Sequence, residues 1–138
     1  MILSLDTNVL IELVRGERAL VRRRLNEALM TGTQLVTSLI VLHELRVGCE
    51  LHPDPVSELK RVEVVLRKIP IEPFDEADMH NAATIKAKFR RVGQAIGSFD
   101  LLIAGQALAR GWTVVTANTR EFARIDGLNV IDWTLPPD

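Results

Sequence analysis

The sequence is short of several things, and each shortage excludes a class of protein. It has one cysteine, Cys49, so no internal disulfide forms, and the expected compartment is a reducing cytoplasm. No apolar run approaches the roughly 20 residues that a bilayer helix needs. The opening Met1-Ile2-Leu3-Ser4-Leu5 meets Asp6 before a signal-peptide core can develop. There is no G-x-S-x-G elbow for a serine nucleophile, no Walker loop and no G-x-G-x-x-G, which argues against triad hydrolases and nucleotide cofactors. His43, His52 and His80 stand apart, in no spacing that holds zinc. Charge of neither sign is in excess. The formal net charge is −1, unlike proteins that hold long nucleic acid by overall charge alone. Internal repeats, low-complexity segments and linkers are also missing.

What is present fits one globular α/β domain over residues 1–138, with hydrophobic residues at 47% and charged residues at 25%. A chain of this length buries roughly two-thirds of its unfolded surface, so it can hold a core without staples. Short β-rich runs alternate with longer helical ones. Strands are expected at Ile2–Leu5, Gln34–Thr37, Ile69–Ile71, Trp112–Val115 and Leu128–Ile131. Pro70 and Pro73 mark the third as an edge. Helices are expected over Asn8–Arg15, Arg18–Met30, Ser38 to about Glu50, Val56–Lys68, Asp75 to about Arg90, and from Ser98 or Phe99 to Arg110, with a helical turn over Thr119–Arg124. Gly111 stands where it can close the helix before it. Strands separated by helices need crossover connections, hence a mostly parallel sheet of four to five strands covered on both faces. Ligands in such sheets bind beyond the carboxyl ends of the strands, where strand order reverses. That directs attention to Asp6 and to Thr116-Ala117-Asn118.

Asp6-Thr7-Asn8 follows the first strand directly. All three residue types cap helices, and Thr7 or Asn8 can cap while Asp6 points into a cleft. Glu44 shares a helical face with Ile40, Val47 and Gly48, and an unpaired carboxylate on such a face is costly. It is either paired with an arginine or part of an acidic metal cluster. Asp100 opens an almost fully apolar helix, where it either complements the helix dipole or faces a pocket. Asn118 and Glu121 lie beyond the fourth strand, as loop caps or as further oxygen ligands. Cys49, in an apolar helical setting, reads as core. Oxygen donors without histidine or cysteine suit Mg2+ or Mn2+, ions that organise phosphoryl-transfer chemistry. Arg15, Arg18, Arg22, Arg23 and Arg24 cluster in one run and Lys86, Lys88, Arg90 and Arg91 in another. They are either solvated helix faces or a phosphate-attracting rim. Val9, Leu10, Leu13, Val14, Leu20, Val21 and Leu25 give the first two helices more apolar positions than one core face needs, leaving surface for a partner helix.

Four stretches resemble the PIN-domain family, VapC-type toxins in particular. Ile2–Leu10 looks like the opening strand with its Asp-Thr-Asn signature. Val41–Gly48 resembles the second acidic motif and Ile96–Ala104 the third. Val115–Phe122, with Gly127-Leu128 and Ile131-Asp132-Trp133, resembles the closing segment. The resemblance implies a PIN-like three-layer α/β/α fold. It implies a Mg2+-dependent (Mn2+ also suitable) endoribonuclease acting on structured RNA such as transfer or ribosomal RNA. It implies a toxin homodimer that assembles with a VapB-type antitoxin into a heterotetramer or larger body. Residue by residue, it makes Asp6 and Asp100 the core metal ligands and Glu44 the third acid. Many family members carry an acid where Asn118 stands, so the fourth ligand is open between Asn118 and Glu121, and with it the occupancy of a second metal site. Thr116 and Ser98 would be supporting hydroxyls. Two rivals stand beside this reading. One is a phosphatase with an aspartate nucleophile at Asp6, which Asn8 disfavours by occupying the place of a second acid. The other is a non-catalytic PIN-like module that binds RNA or a partner.

Overall fold

The computed structural model describes residues 1–137. They form five strands and seven helices: β1 (Ile2–Leu5), α1 (Thr7–Arg15), α2 (Ala19–Met30), β2 (Gln34–Ser38), α3 (Leu39–Leu51), α4 (Pro55–Leu66), β3 (Ile71–Glu72), α5 (Glu76–Arg91), α6 (Ser98–Arg110), β4 (Thr113–Val115), α7 (Thr119–Phe122) and β5 (Asn129–Ile131). The strands make one sheet in the order β3-β2-β1-β4-β5, and every neighbouring pair is parallel. β1 is central, and its Leu3, Ser4 and Leu5 are buried, as a strand covered on both faces requires.

The topology places the site. From β1 the chain moves outward through β2 to β3, then returns past β1 to β4 and on to β5. Parallel crossovers are right-handed, so the two directions of travel put α1–α4 on one face and α5–α7 on the other. The result is the expected three-layer α/β/α architecture. The order reverses between β1 and β4, and a crevice opens there beyond the strand ends. Asp6 N–H donates to Val115 O at 3.0 Å and Thr116 N–H to Ile131 O at 2.9 Å, so both strand ends are held to the last residue.

Two local differences from the sequence reading have simple causes. β3 is Ile71–Glu72 rather than Ile69–Ile71. Pro70 has no N–H to give a ladder, although its carbonyl accepts from Thr37 N–H at 2.9 Å. Ile69 serves as core instead and is buried. The third strand is an edge, as its prolines imply. The cap of α1 is Asp6 itself, whose Oδ1 accepts from Thr7 N–H at 2.7 Å. Among the α1–α2 apolar residues, Val9, Leu10, Leu13 and Val21 are core, while Val14, Leu20 and Leu25 are half-buried.

The α5–α6 layer is tied at two points. A Cβ at Gly105 would lie 2.7 Å from the backbone of Ala82, so the helices cross at a distance that excludes any side chain there. At the end of α6, Arg110 meets the buried Asp78 with two nitrogens, Nε at 3.2 Å from Oδ1 and Nη2 at 2.8 Å from Oδ2. Arg110 also donates to Pro73 O at 2.6 Å and lies 5.0 Å from the Trp112 ring centroid. Asp78 forms a capping box with Asp75 at the start of α5. Burial alone would raise the pKa of Asp78; the Arg110 hydrogen bonds and charge, with the Asp75 N–H, more than offset it and leave it lowered. A carboxylate with a lowered folded pKa contributes stability above its unfolded value of 3.8, lost as pH falls through the folded value.

Two outcomes are expected. Gly105→Ala should lower stability by about 1–3 kcal/mol through overpacking. Arg110→Leu should cost about 3 kcal/mol at neutral pH by leaving Asp78 buried and uncompensated. The gap between parent and Arg110→Leu should narrow as pH falls below 3.8. Urea denaturation across that range measures both.

Candidate active site

Each predicted acid reaches the crevice by a different route. Asp6 is delivered by the end of β1, Glu44 by the second turn of α3, and Asp100 by the first turn of α6. Asn118 is at the cap position of α7 and Glu121 lies within that helix. A short hydrogen-bonded chain links four of the five. Thr7 Oγ1 donates to Glu44 Oε1 at 2.7 Å. Thr116 Oγ1 donates to Asp6 Oδ2 at 2.7 Å and accepts from Asn118 N–H at 2.9 Å. Asn118 Nδ2 donates to Asp100 Oδ2 at 3.1 Å. Glu121 is turned aside into an ion pair with Arg124 at 2.8 Å, and Arg124 also lies over the Phe89 ring. Of the two supporting hydroxyls expected, Thr116 takes that place. The cap of α6 is Gly97, without a side-chain hydrogen bond.

The electrostatics are unfavourable and local. Asp6 is 2% exposed. Burial raises its pKa, the Thr116 and Thr7 hydrogen bonds oppose this, and the charge of Glu44 adds to it. Asp100 is also raised, first by burial and then by the negative charges of Asp6 and Glu121, against the Asn118 amide. Among the described residues, Asp6, Glu44 and Asp100 have no lysine, arginine or histidine partner within 4.0 Å. Glu44 therefore is not half of a buried arginine pair. Its helical face is not core either: it is half-buried beside the exposed Val47 and Gly48. Neighbouring His43 turns away to Phe99, ring centroids 5.7 Å apart.

A divalent cation would find oxygen donors here and missing countercharge, and in that sense the donor set fits one. The carboxylates are held apart by the intervening hydroxyls and amide, and no cluster of three or more acids, histidines or cysteines poised for a metal occurs among the described residues. Which acid each spacer contacts carries no signal in spacing or composition, because the Thr7–Glu44 and Thr116–Asp6 contacts join residues 37 and 110 positions apart in the chain.

The chain is similar to known proteins in sequence and in fold. Residues 3–128 match the family model described as PIN domain. The chain is 38% identical over 130 residues, 94% of its own length and 96% of the relative's, to a tRNA(fMet)-specific endonuclease VapC of Shigella flexneri. Among solved structures it is similar to DNA-bound VapBC from Salmonella typhimurium, with TM-score 0.89 and 33% identity over 96% of this chain and 98% of that one. It is also similar to VapBC2 from Rickettsia felis bound to a DNA fragment from their promoter, with TM-score 0.90 and 28% identity over 96% and 99%.

A pH dependence follows from the raised carboxyls. A group whose folded pKa exceeds its unfolded value stabilises the fold while protonated; that contribution is full below 3.8 and is lost as pH rises through the folded value. In chelator, Asp100→Asn should therefore melt at or above the parent near neutral pH, and its advantage should shrink toward acid. If Asp100 merely capped its helix, the mutant would instead be less stable by about 1 kcal/mol. Melting curves in EDTA over a pH series decide between the two.

Proposed function

The chain belongs to the PIN-domain family, and from that premise we propose that it is a divalent-metal-dependent endoribonuclease, the toxin of a toxin–antitoxin pair. The observation that carries the reading is the chain of contacts from Glu44 through Asp6 to Asp100. It gathers three acids at the sheet's reversal, and among the described residues no protein cation neutralises them. A structural role would favour pairing such groups. Leaving them unpaired makes sense where a phosphate-bound ion completes the charge.

Asp6, Glu44 and Asp100 would hold Mg2+ or Mn2+. When bound, such an ion supplies countercharge to phosphate oxygens and lowers the pKa of a water. The chain's own residues set the geometry. Thr116 fixes the Asp6 carboxylate, the α1 N-terminus holds its second oxygen, and Asn118 orients Asp100. Glu121 is engaged by Arg124, so of the two candidates for a fourth place Asn118 is the one in contact with the acidic network. The substrate is structured RNA, transfer RNA first among the candidates, in keeping with the names of the relatives. A phosphatase acting through Asp6 is disfavoured because Asn8 stands where that chemistry wants a second acid.

The partner is a VapB-type antitoxin. A groove of about 310 Å³ runs between α1, α3 and α4, floored by Ile11, Val14, Leu45 and Val62 and ending at Glu44. An apolar helix fits such a surface, and an arginine carried with it would reach the acids. The spare apolar surface thus lies between α1 and the α3–α4 pair, rather than along α1 and α2 alone.

Purified protein should cut transfer RNA with Mg2+ or Mn2+, stop in chelator, and lose activity by orders of magnitude on Asp100→Asn. Undiminished cleavage in excess EDTA sinks the metal assignment. RNA binding without cleavage, even in excess Mn2+, selects the non-catalytic alternative. Separately, co-expression with the neighbouring reading frame should yield a complex and restore growth.

A further inference from the structure

A second cavity, of about 320 Å³, opens on the other side of α1. Asn8 and Ala117 form its rim, two residues past Asp6 and one residue past Thr116, so it adjoins the acidic site. Its apolar side is Val9, Ile11 and Val21, and its polar side includes Glu12, Arg15 and Arg18. The arrangement follows from the sequence. Asn8, Glu12 and Arg15 share one stripe of α1 at spacings of four and three residues. Gly16, in the left-handed conformation at φ 69°, then turns the chain so that Arg18 comes back beside Glu12.

Glu12 is the unexplained element. Its Oε2 is covered and has no hydrogen-bond partner, and its Oε1 has only a 3.6 Å approach from Arg18 Nε. Arg18 is largely exposed, and a contact of that length contributes little. A carboxylate that has lost water on one oxygen without gaining a donor is destabilising where it stands. The torsion that would turn that oxygen toward the cavity is soft. The metal site does not use this residue, and among the described residues no cap or ion-pair network holds it.

We propose that this cavity is a nucleobase subsite for guanine, in which Glu12 accepts from the base and Arg15 and Arg18 meet the adjoining phosphates. The subsite depends on the nuclease reading for the presence of RNA, and on chemistry for the choice of base. Sequence-reading of RNA takes place on unstacked bases whose edges are hydrogen-bonded in pockets. The half-buried Ile11, backed by the core residues Val9 and Val21, offers apolar contact to a base face. A carboxylate offers two acceptors side by side, and guanine is the one common base whose Watson–Crick edge carries two adjacent donors, N1–H and the N2 amino group. Adenine and cytosine present one amino group next to an acceptor, and uracil one imino group between two acceptors. Arginines in this position add phosphate contacts that position the strand without reading it.

The test uses guanosine, adenosine, cytidine and uridine 5′-monophosphates as probes on the intact protein, followed by NMR or calorimetry, with Glu12→Gln beside the parent. Glutamine preserves shape but replaces one acceptor with a donor. The parent should bind the guanosine nucleotide at least about tenfold more tightly than the others, the discrimination that one good bidentate pair gives. Glu12→Gln should lose that preference and move toward adenosine, whose donor and acceptor match an amide, while its melting temperature shows it folded. Equal binding of all four nucleotides by the parent, no binding of any, or an unchanged preference in Glu12→Gln overturns the proposal. The nuclease reading is scored apart. A parent that cuts RNA with no preference for guanine beside the cut keeps the nuclease and loses the subsite. A parent that binds the guanosine nucleotide through Glu12 and cuts nothing does the reverse.

Discussion

The hydrogen bond from Thr116 Oγ1 to Asp6 Oδ2, 2.7 Å long, joins the ends of the two strands between which the sheet reverses direction. Much of the site hangs from it. It fixes the carboxylate of the site that has almost no access to water, and the same hydroxyl, which gives its proton to Asp6, accepts from Asn118 N–H, so the α7 loop is set by the same atom. Asn118 in turn reaches across to α6 and Asp100. On the other side, Asp6 opens α1, and Thr7 passes the connection to α3 through Glu44. Elements from both helical layers are thereby referenced to a single pair of strand ends. A parallel sheet provides this naturally, because its carboxyl ends all lie along one edge.

The fold was largely legible, and for a physical reason. In a parallel α/β chain each strand is a short apolar run and each helix a longer periodic one, so local pattern and global layout agree. Ile2–Leu5 and Leu101–Ala107 show this, and both are largely buried. Where reading slipped, at Ile69–Ile71, an apolar triplet straddled a proline that cannot give an N–H to a ladder, and the core claimed Ile69 while the edge began two residues later. The acids Asp6, Glu44 and Asp100 were legible because carboxylates in apolar surroundings demand an explanation. Thr116 and Asn118 were marked out by their place beyond the fourth strand, but the bridge at Thr7 was not, since a threonine that joins two carboxylates looks in sequence like any other threonine. Glu12 was invisible for a related reason: on a helical wheel it is an ordinary surface glutamate, and its covered, unpartnered oxygen is a product of the folded chain.

The near-neutral charge hides an uneven distribution. Arg15 lines both the groove between α1, α3 and α4 and the cavity on the far side of α1. One helix thus forms a ridge with Asp6 at its head and Arg15 at its foot. Whatever occupies either groove meets the same guanidinium, so the two surfaces are electrostatically coupled through the helix between them. The run from Lys86 to Arg91 belongs to α5, in the opposite layer, and its Lys88 lines a separate cleft with Arg124.

The two ties in the α5–α6 layer are unevenly placed. Gly105 against Ala82 and Arg110 on Asp78 both grip the carboxyl half of α6, whereas its amino end follows an exposed segment from Val92 to Ala95 and starts without a side-chain cap. The first turn of α6 is held differently: the Asp100 carboxylate has one hydrogen-bond donor among the described residues, the Asn118 amide. Asp6 has two, Thr7 N–H and Thr116 Oγ1. Of two mutually repelling carboxylates, the one with fewer ties yields at smaller cost, so a guest between them would meet a fixed jaw at Asp6 and an adjustable one at Asp100.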